Sequence, residues 1–123
     1  MSNLAGVRVA FLGAGNMAEA LVKGLLKTGR AVPSHVTVTD VREERRRYFT
    51  DTFAVRALAS NCEAVAAADV VVLAVKPQQM RDVLAEIRVA LPAGALVISI
   101  AAGLRTATLE EGLGGGRVVR VMP

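Results

Sequence analysis

The passage from Val7–Leu12 into Gly13-Ala14-Gly15-Asn16-Met17-Ala18 constrains this chain more than any other feature. Val7 to Leu12 reads as a short buried strand. Asn16 to Thr28 carries Ala18, Leu21, Val22, Leu25 and Leu26 at helical spacing, and Gly29 closes that segment. A strand that enters a helix within a few residues needs a sharply turning backbone, and two glycines sit at the turn.

The rest of the chain repeats this alternation. Val36–Thr39, Ala54–Ala57, Val70–Val75, Ala95–Ile100 and Arg117–Met122 read as strands. Arg42–Thr50, an Ala-rich segment capped near Ser60 or Asn61, Gln79–Leu91 and Thr106–Leu113 read as helices. Strands alternating with helices predict βαβ units with right-handed crossovers. The fold class is therefore α/β, a Rossmann-type doubly wound parallel sheet of six strands with helices on both faces. Hydrophobic residues make up 53% of the chain and aromatics only 3%, so the core is aliphatic, as suits a sheet buried on both faces. At 123 residues the length fits one domain.

The loop carries its own chemistry. Gly13, Gly15 and Ala18 form G-x-G-x-x-A between a predicted strand and a predicted helix, the context in which this pattern cradles a pyrophosphate. Gly13 permits the turn, Gly15 admits phosphate to the backbone, and Ala18 keeps helix and strand close. N–H groups at the helix start then meet the phosphate charge. Asp40 follows at the end of the second strand, roughly 20 residues on, where a carboxylate holds an unmodified ribose and favours NAD. Arg42, Arg45, Arg46 and Arg47 come next, and an Arg there holds the 2′-phosphate of NADP. The same arginines also read as a solvated helix face paired with Glu43 and Glu44. NAD and NADP both stay open. Lys76, after the fourth strand, and the small residues Ser99 to Gly103, after the fifth, lie where open parallel sheets bind their ligands.

Other functions are disfavoured. The net charge of +4 comes from mostly scattered basic residues without interleaved aromatics, which argues against nucleic acid. One His and one Cys, distant in sequence, provide no metal-ligand pattern. Cys62 reads as a buried structural thiol, in keeping with a reducing compartment. The N-terminus lacks the basic region of a signal peptide. The longest uncharged stretch, Val89–Leu104, is broken by Pro92, Gly94 and Gly103 and falls short of a membrane span. The expectation is a cytoplasmic protein with no membrane partner.

Four motifs together, FLGAGNMAEALVKGLL, AVKPQ, SIAAG and the terminal RVVRVMP, resemble pyrroline-5-carboxylate reductase in order and spacing across essentially the whole chain. The resemblance implies an NAD(P)H-dependent oxidoreductase acting on a C=N bond, reducing 1-pyrroline-5-carboxylate to L-proline in proline biosynthesis. It implies cofactor contacts from Leu12, Gly13, Ala14, Gly15, Asn16 and Met17, and from Thr39, Asp40 and Asn61. Further contacts are implied for Ala74, Val75, Lys76 and Pro77, and for Ala101, Ala102 and Gly103. It also implies a second, helical domain for substrate binding and homo-oligomer formation, to which nothing in residues 1–123 corresponds, so this domain alone is expected to be inactive. No catalytic residue is assigned within it. Two departures stand out: the chain stops at Met122-Pro123, before an Asn and Thr usual in the family, and Asp40 replaces the neutral or basic residue common in NADPH-using members. Another Rossmann-type NAD(P)-dependent reductase, acting on a β-hydroxyacid or a deazaflavin, and a stand-alone non-catalytic dinucleotide-binding module are the alternatives.

Overall fold

The computed structural model describes residues 6–100, and residues 117–120 in their backbone. Strands β1 (Val9–Leu12), β2 (Val36–Thr39), β3 (Arg56–Leu58), β4 (Val70–Leu73) and β5 (Leu96–Ser99) alternate with helices α1 (Asn16–Lys27), α2 (Glu43–Phe53), α3 (Asn61–Ala66) and α4 (Pro77–Ile87). The backbone segment Arg117–Arg120 pairs parallel to β5 as β6, and the sixth strand of the expected sheet rests on it alone. The order is β3-β2-β1-β4-β5-β6, and every pairing is parallel. The order reverses between β1 and β4, where ligands of doubly wound sheets bind.

Side-chain alternation along the strands divides the core in two. Val9, Phe11, Val36, Val38 and Val72 face α1 and α2, packing with Ala18, Val22 and Phe49. Ala10, Leu12, Val71, Leu73 and Val97 face α3 and α4, packing with Val65, Met80, Leu84 and Ile87. A one-residue slip in β1 would exchange Phe11 for Ala10 or Leu12 on the α1 side, so packing fixes the register. Helices thus cover both faces.

Several boundaries differ from expectation. Strands β1, β4 and β5 are shorter than the apolar runs that announce them. Helix α2 runs to Phe53 rather than Thr50, because Phe49 and Phe53, one turn apart, pack together at 5.4 Å on the core side. Ala54, expected to open the third strand, instead terminates α2 in the left-handed region (φ 59°), and its N–H bonds the Thr50 carbonyl. Helix α4 starts at Pro77 rather than Gln79, since proline's fixed φ and missing donor suit a first helical position. Cys62 is half-buried rather than buried, its Sγ donating to the Glu86 carbonyl at 3.1 Å. The predicted helix Thr106–Leu113 lies outside the described residues.

Candidate functional site

The loops after β1, β2, β3 and β4 converge on one edge of the sheet around a cavity of about 360 Å³. Gly13, Ala14 and Gly15 form one side and Asp40, Val41 and Arg42 another; Thr39, Ala59 and Asn61 continue the wall. Ala74, Val75 and Lys76 close it with Gln79, Asp82, Val83 and Glu86 of α4. The structure therefore brings together most of the sequence-selected residues. Leu12 is fully buried at the end of β1. Asn16 and Met17 open α1 and are exposed, and Pro77 opens α4. Ala101, Ala102 and Gly103 lie outside the described residues.

The two loop glycines differ in kind. Gly13 has φ +103°, and a Cβ there would lie 2.7 Å from the Ala74 carbonyl oxygen. The fold itself thus requires glycine, because β1 and β4 exit side by side. Gly15 has φ −88°, which any residue adopts, and a Cβ there would meet nothing within 4 Å. No contact among the described residues demands glycine at Gly15, whereas a pyrophosphate passing over the loop would. Gly15 is also the N-cap of α1 and provides no side-chain cap; the first backward bond of the helix runs from Glu19 N–H to the Gly15 carbonyl at 3.0 Å. The N–H groups ahead of Glu19 have no intrahelical acceptor, as at any helix start. Ala18 is fully buried, so α1 sits close on the sheet. These residues fit a dinucleotide pyrophosphate.

Asp40 is bound on every side. Its Oδ2 accepts the Ala14 N–H at 3.0 Å and Arg42 Nη2 at 2.9 Å, while Oδ1 accepts Arg42 N–H and Nε at 2.9 Å each. Burial pushes its carboxyl up, but the Arg42 side-chain and backbone bonds and the Ala14 N–H outweigh this and bring it down to about 2. A carboxylate has about four acceptor positions, and all four are taken. Thr39 Oγ1 donates to Asn61 Oδ1, and Asn61 Nδ2 donates to Glu86 Oε1 at 2.9 Å, tying β2 to α3 and α4 at the cavity wall.

The arginine run divides into separate roles. Arg42 lines the cavity and pairs with Asp40 while about half exposed. Arg45 turns toward α1, Arg46 Nη1 donates to the Asp40 carbonyl at 2.8 Å, and Arg47 pairs with Glu43 one turn away. Arg47 follows the solvated-face reading through Glu43. Sequence reasoning missed Asp82 and Glu86. They stand one helical turn apart on α4, a spacing visible in the sequence once the apolar stripe of that helix is assigned to the core.

Among the described residues no group of three or more His, Cys, Asp and Glu side chains is arranged to hold a metal ion. No helix among them is long and apolar enough to cross a membrane.

Strand order, reversal point and glycine loop together define a Rossmann-type α/β domain. Residues 8–103 match the family described as NADP oxidoreductase, coenzyme F420-dependent, and the chain belongs to that family. It is 48% identical over 118 residues to a pyrroline-5-carboxylate reductase of Pseudomonas aeruginosa, covering 94% of this chain and 42% of that protein. It is 38% identical over 115 residues to the corresponding protein of Glycine max, with 94% and 42% covered. The structure of a pyrroline-5-carboxylate reductase from Coxiella burnetii superposes with TM-score 0.91 at 38% identity, covering 95% of this chain and 44% of that one. A Plasmodium falciparum pyrroline carboxylate reductase with NADP bound superposes with TM-score 0.82 at 29% identity, covering 95% and 42%. The chain thus spans less than half the length of the relatives it matches.

Proposed function

We propose that this chain is the nucleotide-binding part of a pyrroline-5-carboxylate reductase, which reduces 1-pyrroline-5-carboxylate to L-proline with NAD(P)H. The observation that carries the reading is Gly15: a glycine that the packing of the described residues does not require, at the start of a helix, at the reversal point of the sheet. The similarity to pyrroline-5-carboxylate reductases across 94% of the chain supports the choice of reaction.

A bound NAD(P)H supplies the hydride. The work of this chain is to bind and orient. N–H groups from Gly15 onward meet the pyrophosphate, and Ala14 N–H is reserved for Asp40. Asn61, the β2 end and the apolar Val83 wall receive the adenosine half, with Arg42 beside the ribose. Ala74 to Lys76 flank the path toward the nicotinamide. A second domain of the kind implied by the longer relatives would bring the pyrroline ring and a proton source.

The test is a titration of the 123-residue chain with NADH and NADPH, followed by nicotinamide fluorescence, beside an assay of proline formation. Saturable binding without appreciable turnover is expected. Failure to bind either dinucleotide overturns the reading, and turnover near a full enzyme's rate overturns the division of labour. The family description also favours a second reading, reduction of a deazaflavin such as coenzyme F420, and F420-dependent oxidation of bound NADPH by the longer protein would select it.

A further inference from the structure

We propose that Arg45 is a positioning residue that aims the glycine loop, an inference that rests on the dinucleotide reading. Arg45 sits on α2, does not line the cavity, and is about four-fifths buried. Its Nε donates to the Ala14 carbonyl at 2.7 Å, and its Nη2 donates to Glu19 Oε1 at 3.0 Å. Glu19 is held from its other oxygen by the Tyr48 hydroxyl at 2.7 Å. The guanidinium also lies 4.8 Å from the Tyr48 ring centre and 5.3 Å from that of Phe49. Acceptors and rings therefore hold its planar fork in one orientation.

The consequence follows from peptide geometry. The Ala14 carbonyl and the Gly15 N–H belong to one planar trans unit and point in opposite directions. By drawing the carbonyl toward α2, Arg45 directs the Gly15 N–H away from α2. The preceding unit is fixed independently, because Ala14 N–H is held by Asp40 at 3.0 Å. Both peptide units flanking Ala14 are therefore set before any ligand arrives, one by Asp40 of the β2–α2 connection and one by Arg45 of α2. A free loop would lose this orientational freedom on binding phosphate; a preset one has already lost it. Arg45 need not touch the dinucleotide, and its charge is offset locally by Glu19.

Two measurements test this. In the unaltered chain, proton–nitrogen correlation spectra are recorded while ADP is added as probe. The Gly15 amide proton should move downfield more than those of Gly6, Gly24, Gly29 and Gly94. NADPH binding without a Gly15 response would overturn the inference while leaving the dinucleotide reading intact. In the second, Arg45→Met keeps a stem over the Tyr48 and Phe49 rings but removes the fork. NADPH and ADP should bind about tenfold more weakly, and adenosine, which has no phosphate, should bind within about twofold of the original. No loss, or equal loss for all three, would overturn it. If the unaltered chain binds no dinucleotide, the reading on which the inference rests fails first, and that outcome is distinct from the others.

Discussion

The Asp40 carboxylate accepts the Ala14 backbone N–H at 3.0 Å, joining the end of the second strand to the middle of the glycine loop. On the dinucleotide reading, this contact would link phosphate binding to ribose selectivity, because the same carboxylate also holds Arg42. Asp40 can serve a ribose hydroxyl only if Arg42 or Ala14 releases one of its bonds.

Cofactor choice should therefore respond to both partners in opposite directions. Asp40→Asn removes the charge that repels a 2′-phosphate and frees Arg42 to meet it. The NADPH-to-NADH affinity ratio should rise about tenfold, roughly the worth of one charge-assisted hydrogen bond. Arg42→Ala should lower the same ratio by a similar factor. Paired isotherms for both dinucleotides at low and moderate salt measure it. A ratio indifferent to both substitutions would remove Asp40 and Arg42 from the ribose.

Acid should weaken the fold through Asp40. Its folded pKa, about 2, lies below the ordinary 3.8, so the carboxylate contributes stability above pH 4 that is lost as pH falls toward 2. Arg42 is half exposed and partly screened, which limits the effect to about 1–2 kcal/mol. Urea midpoints of the unaltered chain and Asp40→Asn, compared from pH 5 to pH 2, should converge across that window.

The two loop glycines should fail differently. Gly13→Ala places a Cβ against the Ala74 carbonyl at a positive φ and should cost about 2–4 kcal/mol of stability. Gly15→Val should leave the denaturation midpoint nearly unchanged and abolish dinucleotide binding, since a Cβ at this position meets no described atom within 4 Å. Thermal unfolding and cofactor titration of both variants separate these outcomes. Unchanged affinity in folded Gly15→Val would refute the phosphate-loop assignment.

Ala54 holds a left-handed conformation at the end of α2, and its side chain is exposed. Ala54→Gly relieves that conformation without emptying the core. It should raise stability by about 0.5–1 kcal/mol, visible as a higher denaturant midpoint.

The sheet was legible chiefly because β1, β4 and β5 are concentrated apolar runs between helical patterns, whereas the short β3, Arg-Ala-Leu, carries little strand signal; the glycine loop was legible because its signal lies within six consecutive residues. Ends were less so: α2 runs past Thr50 on the strength of the Phe49–Phe53 contact, and the apolar letters of Ala54 and Val55 resemble a strand start. The site was legible where a motif names its residues, at Gly13, Gly15, Asp40 and Lys76. Arg45 was legible only as one of four arginines. Its partners Ala14 and Glu19 lie far back in the chain, and only the packing of α2 against α1 brings them within reach. Glu86 shares a readable helical spacing with Asp82, but its bond to Asn61 at the cavity wall joins residues distant in sequence and was not readable.

The Tyr48–Glu19–Arg45 contact also makes the chain its own optical reporter. There is no Trp and only one Tyr, so absorption near 280 nm, and the fluorescence that it excites, come chiefly from Tyr48. That ring stands edge-on to Phe49 and Phe53, and its hydroxyl ionises above the usual 10, chiefly because of its bond to Glu19. Near-ultraviolet dichroism and alkaline titration therefore watch a single junction, two contacts from the Ala14 peptide, with no label attached.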